Sequence, residues 1–234
     1  MQALWGYPFR SVGAVVSVPL LILAVLVSRG ADAADGDAEN YAALRLQFAH
    51  QPGYDATALV MKENALSREA HQLWNTGHGE ETVAKIQEML QQYPLSLLAN
   101  LMMAETCRKL AEHTDSDVRK GELLKLSTEH QDRYNLLVQS ITRSSQCSTP
   151  QDRCTVINIS EEYLVLHEMR LQRKSQALTL QNGEPYDVLV GSSADGIEKT
   201  LYFDISPFFD MKPFNEMGRS QGSTDPSPKA PERP

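Results

Sequence analysis

Glu161 and Glu162 stand side by side in the chain, while Asp187 and Asp204 lie further on, each beside aromatic residues (Tyr186; Tyr202 and Phe203). Carboxyl pairs do acid–base chemistry when their surroundings push their proton affinities apart. Neighbouring positions on a helix point about 100° apart, so Glu161 and Glu162 do not converge on one substrate. As acids in a first helical turn they favour the helix dipole instead. Asp187 and Asp204 fall on predicted adjacent strands. If they face one side they meet, and one of them holds its proton. With Tyr186 and Tyr202 they form the candidate constellation for a hydrolase or metal-dependent enzyme, and turn or loop hydrogen bonding is the alternative.

Other reactive sets are absent from the sequence. The six histidines (His50, His71, His78, His113, His130, His167) show no ligand spacing along one helix face, although His71 and His78 straddle a glycine turn. There is no Gly-rich phosphate loop, His-Glu-x-x-His or Gly-x-Ser-x-Gly. No catalytic residue, metal or cofactor is therefore assigned. The 234 residues carry a net charge of −8, which argues against a nucleic-acid partner, because phosphate binding needs a basic face. Asn158-Ile159-Ser160 matches a glycosylation sequon but falls inside a predicted strand.

The start of the chain reads as an export signal. Residues 1–13 hold one charge, Arg10; residues 14–27 are apolar; Ala31-Asp32-Ala33 follows. A basic start, a short apolar centre and small residues at −3 and −1 predict cleavage between Ala33 and Ala34. Fourteen residues span about 21 Å as a helix, short of the roughly 30 Å hydrocarbon core. A single uncleaved N-terminal anchor is the alternative. Either way, membrane contact runs only through this segment. A periplasmic or secreted location makes a nearby cysteine pair close. Cys147 and Cys154, separated by Ser-Thr-Pro-Gln-Asp-Arg, are predicted to be bridged, and Cys107, amid Met102, Met103 and Leu110, to be a buried free thiol.

The elements that position these groups are legible from periodicity. Helical spacing runs from Tyr41 to Ser140. Asp55 caps a helix that ends at Asn75-Thr76-Gly77-His78-Gly79; a second helix opens at Glu80 and stops at Pro94; a third runs over 97–110. Ala70 and Ala104, Leu73 and Cys107, and Leu90 and Leu124 fall 34 positions apart. That period resembles a tetratricopeptide repeat, about one and a half copies of it, with a plain α-hairpin bundle as the alternative. Residues 117–143 then read as one long helix of about 40 Å.

The last third reads as a sheet. Residues 155–159 are β-rich, and Ser160-Glu161-Glu162 is a helix start. Runs over 176–180 and 186–190 flank Asn182-Gly183, the strongest short hairpin signal. Residues 200–206 alternate apolar and polar. The expected fold is α+β: helical hairpins and a long helix packed on a three- to four-stranded antiparallel meander. The expected division is 1–33 signal peptide, 34–40 flexible, 41–145 helical, 146–214 sheet, and 215–234 disordered, since the tail is rich in Pro, Ser and Gly.

Several stretches together resemble a secreted bacterial family, domain of unknown function 4919. They are Leu44-Arg45, Tyr54-Asp55, the hairpin with Pro94, and residues 137–141; then Val156-Ile157, Glu161-Glu162-Tyr163, Gln176 with Leu178, Tyr186-Asp187, and the run Leu201-Tyr202-Phe203-Asp204-Ile205. The resemblance covers about residues 41–209. It implies an exported α+β protein and transfers no catalytic residue. It singles out Glu161, Glu162, Tyr163, Gln176, Tyr186, Asp187, Tyr202 and Asp204 as a surface or structural motif. The turn that resembles a Gly-rich loop in relatives holds Cys147 and Cys154 here. Two functions follow as expectations: a non-catalytic accessory protein of the cell envelope that binds a protein or peptide on its helical-hairpin surface or sheet edge, or a hydrolase built on Asp187 and Asp204.

Overall fold

The structure, a computed structural model, describes residues 34–209; the signal segment 1–33 and the tail from 210 on lie outside them. Its elements in order are α1 (Ala34–Ala49), α2 (Ala56–Asn75), α3 (Gly79–Gln92), α4 (Leu97–His113), α5 (Asp117–Thr142), β1 (Cys154–Thr155), α6 (Ile159–Glu168), β2 (Gln172–Gln181), β3 (Glu184–Ser192) and β4 (Glu198–Asp204). Four helices begin where a side-chain oxygen takes up an orphan amide. Asp55, Ser96, Ser116 and Asn158 accept from the amides of Ala58, Ala99, Arg119 and Glu161. Residues 34–40, expected as loose chain, belong to α1.

Two cores share the long helix. Leu59 and Leu66 of α2, Val83 and Ile86 of α3, and Met103 and Cys107 of α4 pack with Leu123 of α5. Further along α5, Tyr134, Leu137 and Ile141 pack instead on α6 and the sheet, against Val165, Leu189 and Phe203. One helix of 26 residues, about 39 Å, thus borders both. Val118 and Leu124 near its start remain exposed. Gly77 makes the α2–α3 turn at φ 82°, a conformation glycine adopts without strain.

The sheet has the order β1-β4-β3-β2. Asn182 (φ 54°) and Gly183 (φ 84°) form the predicted hairpin turn, with both central residues left-handed. The sheet departs from a purely antiparallel meander. The predicted strand 155–159 is only Cys154–Thr155, and it pairs parallel to β4, Cys154 opposite Phe203 and Thr155 opposite Asp204. Asn158, placed in that strand by its neighbours' β-propensity, instead caps α6, so the helix begins one residue before Ser160. A local side-chain-to-backbone bond here overrides strand propensity.

Cys147 and Cys154 form the expected disulfide, with Cα atoms 4.9 Å apart and both residues fully buried. Cys147 sits at φ 54°, the region where glycine is at ease. Its carbonyl accepts from the Tyr202 amide at 2.8 Å, which fastens the bridged turn to β4. Cys107 is free and buried.

Candidate functional site

The first turn of α6 sends three polar side chains in three directions, as the 100° step between helical neighbours requires. Glu161 turns toward α1. Arg45 Nε donates to Glu161 Oε1 at 3.0 Å, and Arg45 Nη2 donates to Oε2, a forked pair in which both side chains are 2% exposed. Arg45 also donates to Ser140 Oγ (3.3 Å) and to the Thr155 carbonyl (3.2 Å), while Glu161 Oε2 accepts the Ile157 amide at 2.9 Å. A buried ion pair holds only when its remaining valences are filled in this way. Tyr54 closes the same corner by donating to the Ile157 carbonyl at 2.6 Å; burial, with Glu161 nearby, lifts its phenol well above the ordinary range.

Glu162 turns toward the sheet and is fully buried. The Gln176 amide of β2 donates to Asp187 Oδ2 of β3 at 2.6 Å and reaches Glu162 Oε2 at 3.4 Å. Gln176 Oε1 in turn accepts from the Tyr163 hydroxyl (2.6 Å) and from Arg173 (3.2 Å), and Arg173 donates to that hydroxyl at 2.8 Å. Glu162 Oε1 has no partner among the described residues. Burial, reinforced by the Asp187 carboxylate beside it, pushes the Glu162 carboxyl up to about 9, so it keeps its proton at neutral pH.

A third acid lies on the other flank. Glu63 of α2 is 1% exposed, and Ser96, the cap of α4, donates to its Oε1 at 2.6 Å. Its Oε2 has no hydrogen-bond partner among the described residues, with Ser160 of α6 alongside. Burial lifts this carboxyl to about 7.

Of the residues picked out in the sequence, Glu162, Tyr163, Gln176 and Asp187 come together, and Glu161 goes to Arg45. Tyr186, Tyr202 and Asp204 do not join them. Asp187 is opposite Phe203 and Tyr186 opposite Asp204 in the register, so Asp187 faces the core with Phe203 while Asp204 takes the other face. The hydrolase constellation of Asp187 with Asp204 is therefore not assembled. Asp204 instead accepts the Ser206 amide at 3.0 Å in a turn. The Tyr186 and Tyr202 rings lie 6.2 Å apart on that outer face, with the Arg153 guanidinium 5.2 Å over Tyr186. Among the described residues no group of three or more His, Cys, Asp or Glu is arranged to hold a metal. A surface hollow of about 210 Å³ between α4 and α5, lined by Glu105, Arg108, Thr128 and Asp132 among others, includes none of the network.

Arg45 and Glu63 were not singled out as site residues, yet each carried a signal. Glu63 falls at Leu59 + 4, Leu66 − 3 and Ala70 − 7, on the apolar face of its helix. Arg45 sits between Leu44 and Leu46, ahead of Phe48. A charge on an apolar stripe implies a buried partner. Chemically, the arrangement stores protons and ties elements together.

No curated protein and no solved structure matches the chain. A family model described as Domain of unknown function (DUF4919) matches residues 31–213. That match takes in every described element and the whole buried network, and the chain belongs to the DUF4919 family.

Proposed function

We propose that this chain is an exported, non-catalytic accessory protein of the cell envelope that takes an extended peptide segment of a partner protein on the free edge of β2. One observation carries the reading. β2 is a ten-residue strand at the end of the sheet order, and its second half, residues 176–181, has no charge. Leu178 is 41% exposed there and Leu180 49%. Edge strands are normally blunted by charge or a bulge. The first half of β2 is blunted in this way, with Arg173, Lys174 and a register shift between Arg173 and Ser175. No other described strand pairs with the outer edge of this second half, and its alternating leucines are exposed, which suits strand addition. Export is supported by the signal pattern of residues 1–33 and by a disulfide, which persists in an oxidising compartment.

The test has two parts. Expressed whole in a bacterium with two membranes, the protein collects in the periplasm, cut between Ala33 and Ala34. Residues 34–234 are then titrated with fluorescent peptides of alternating Leu and Thr. Leu178→Lys with Leu180→Lys weakens binding at least tenfold, whereas Leu124→Lys, an exposed leucine on α5, leaves it unchanged. Equal binding by both variants ends the docking reading; retention in the cytosol ends the export reading.

A further inference from the structure

Two buried carboxyls flank the first turn of α6, and the groups facing them are acids and neutral donors. Facing Glu162 are Asp187 from β3, the Gln176 amide from β2 and Glu161 from its own helix. Facing Glu63 are Ser96 from the α4 cap, Ser160 and Glu161 from α6, and the Tyr54 phenol from the loop before α2. Arg45, the buried guanidinium at this helix, is already forked on Glu161. Each orphan oxygen, Glu63 Oε2 and Glu162 Oε1, is buried with no hydrogen-bond partner among the described residues. An uncompensated carboxylate in such a site is expensive, and a proton is the remedy available.

We propose that α6 is a proton-dependent clasp: its seating between the helical layer and the sheet needs one proton at Glu63 and another at the Glu162–Asp187 pair, and rising pH releases it in two steps. The geometry sets what is released. Ser160 meets the helical layer, Glu162 meets the sheet, and Leu164, Val165 and Leu166 of the same helix are core residues. Gln176 belongs to β2, so loss of the second proton also disturbs the edge strand. In each step a carboxyl gives its proton to solvent, and the new charge favours the open helix.

The direction follows from the proton affinities. Glu63 sits at about 7 and Glu162 at about 9, both above the ordinary glutamate value of 4.5 that each regains when exposed. The closed form thus binds more protons. Its advantage is complete below pH 4.5 and declines from there as pH rises, the Glu63 share being lost by about 7 and the Glu162 share by about 9. This inference is independent of the peptide-docking reading.

Amide hydrogen exchange on residues 34–234 tests it, with protection factors corrected for the intrinsic rate at pH 6, 8 and 10. Between pH 6 and 8, α6 loses protection at least tenfold while α3, in the other core, does not; β2 follows by pH 10. Glu63→Gln and Glu162→Gln each lessen the loss between pH 6 and 8, and Glu162→Gln also removes the further loss above pH 8. Should either variant fail to fold, the wild-type series and the carboxyl ¹³C titrations of Glu63 and Glu162 decide alone. Constant protection of α6 from pH 6 to 10, equal loss in α3, or a Glu162 carboxyl titrating below pH 6 overturns the proposal.

Discussion

Arg45 of α1 and Glu161 of α6, separated by 116 positions in the chain, meet as a forked and almost fully buried ion pair that also gathers Ser140, Thr155 and Ile157. Removing one partner strands the other charge. Arg45→Ala is expected to lower the free energy of unfolding in urea by about 3–5 kcal/mol. Arg45→Met combined with Glu161→Leu, which removes both charges, recovers most of that loss. A double variant as unstable as the single one would show that the pair is worth more than its desolvation.

The disulfide closes a short loop, its cysteines seven positions apart in sequence. Cys147→Ser with Cys154→Ser is expected to cost about 2 kcal/mol in the same measurement, by the loop-entropy relation. Cys107 behaves differently. Burial pushes its thiol up to about 11, so iodoacetamide labels it in urea and not in buffer. Labelling of the folded wild type would contradict the packing of α4.

His130 opposes the buried acids in its pH dependence. It shares a 2.9 Å hydrogen bond with Asn100, and burial, with Arg133 nearby, lowers its proton affinity to about 4 from 6.5. The unfolded chain therefore binds the extra proton. Stability from this group is complete above pH 6.5 and falls as pH drops toward 4. Because His130 is partly open to solvent, the loss is no more than about 2 kcal/mol. His130→Gln flattens the acid limb of a stability–pH curve and leaves its alkaline limb intact.

Two glycines give opposite responses to a methyl group. A Cβ on Gly191 in β3 would lie 2.8 Å from Leu171 Cβ and 3.0 Å from Leu166 Cδ2, where α6 hands over to β2. Gly191→Ala is expected to destabilise by about 1–3 kcal/mol through overpacking. Gly121, on an open face of α5, has nothing within 4 Å of the same atom. Gly121→Ala is expected to raise stability by up to about 1 kcal/mol, since alanine is the better helix former. Thermal melts of the two variants check both signs.

Local chemistry made most elements readable before any coordinates. Asp55, Gly77 and the Asn182-Gly183 turn act within four residues of themselves, and the structure places each as expected. Glu161 and Glu162 go to different partners, as the 100° step between helical neighbours requires. Their burial was not legible, because a helix start with two acids looks the same whether it faces water or a core. The meeting of Glu162 with Asp187, 25 positions on, depends on how α6 lies across the sheet. The parallel pairing of β1 and β4 likewise depends on tertiary packing, and two residues are too few to leave a periodic trace.

That parallel pairing has a consequence for the order of assembly. Cys154 and Thr155 align with Phe203 and Asp204, and the Val156 amide donates to the Asp204 carbonyl at 3.1 Å. β4, the last of the described strands, is thus wedged between the first and the third. A nascent chain lacking residues 203 and 204 leaves the bridged turn and the start of α6 without their backbone anchor. The keystone follows every other described strand along the chain, so the bridged turn and the start of α6 stay slack and threadable until β4 has been made.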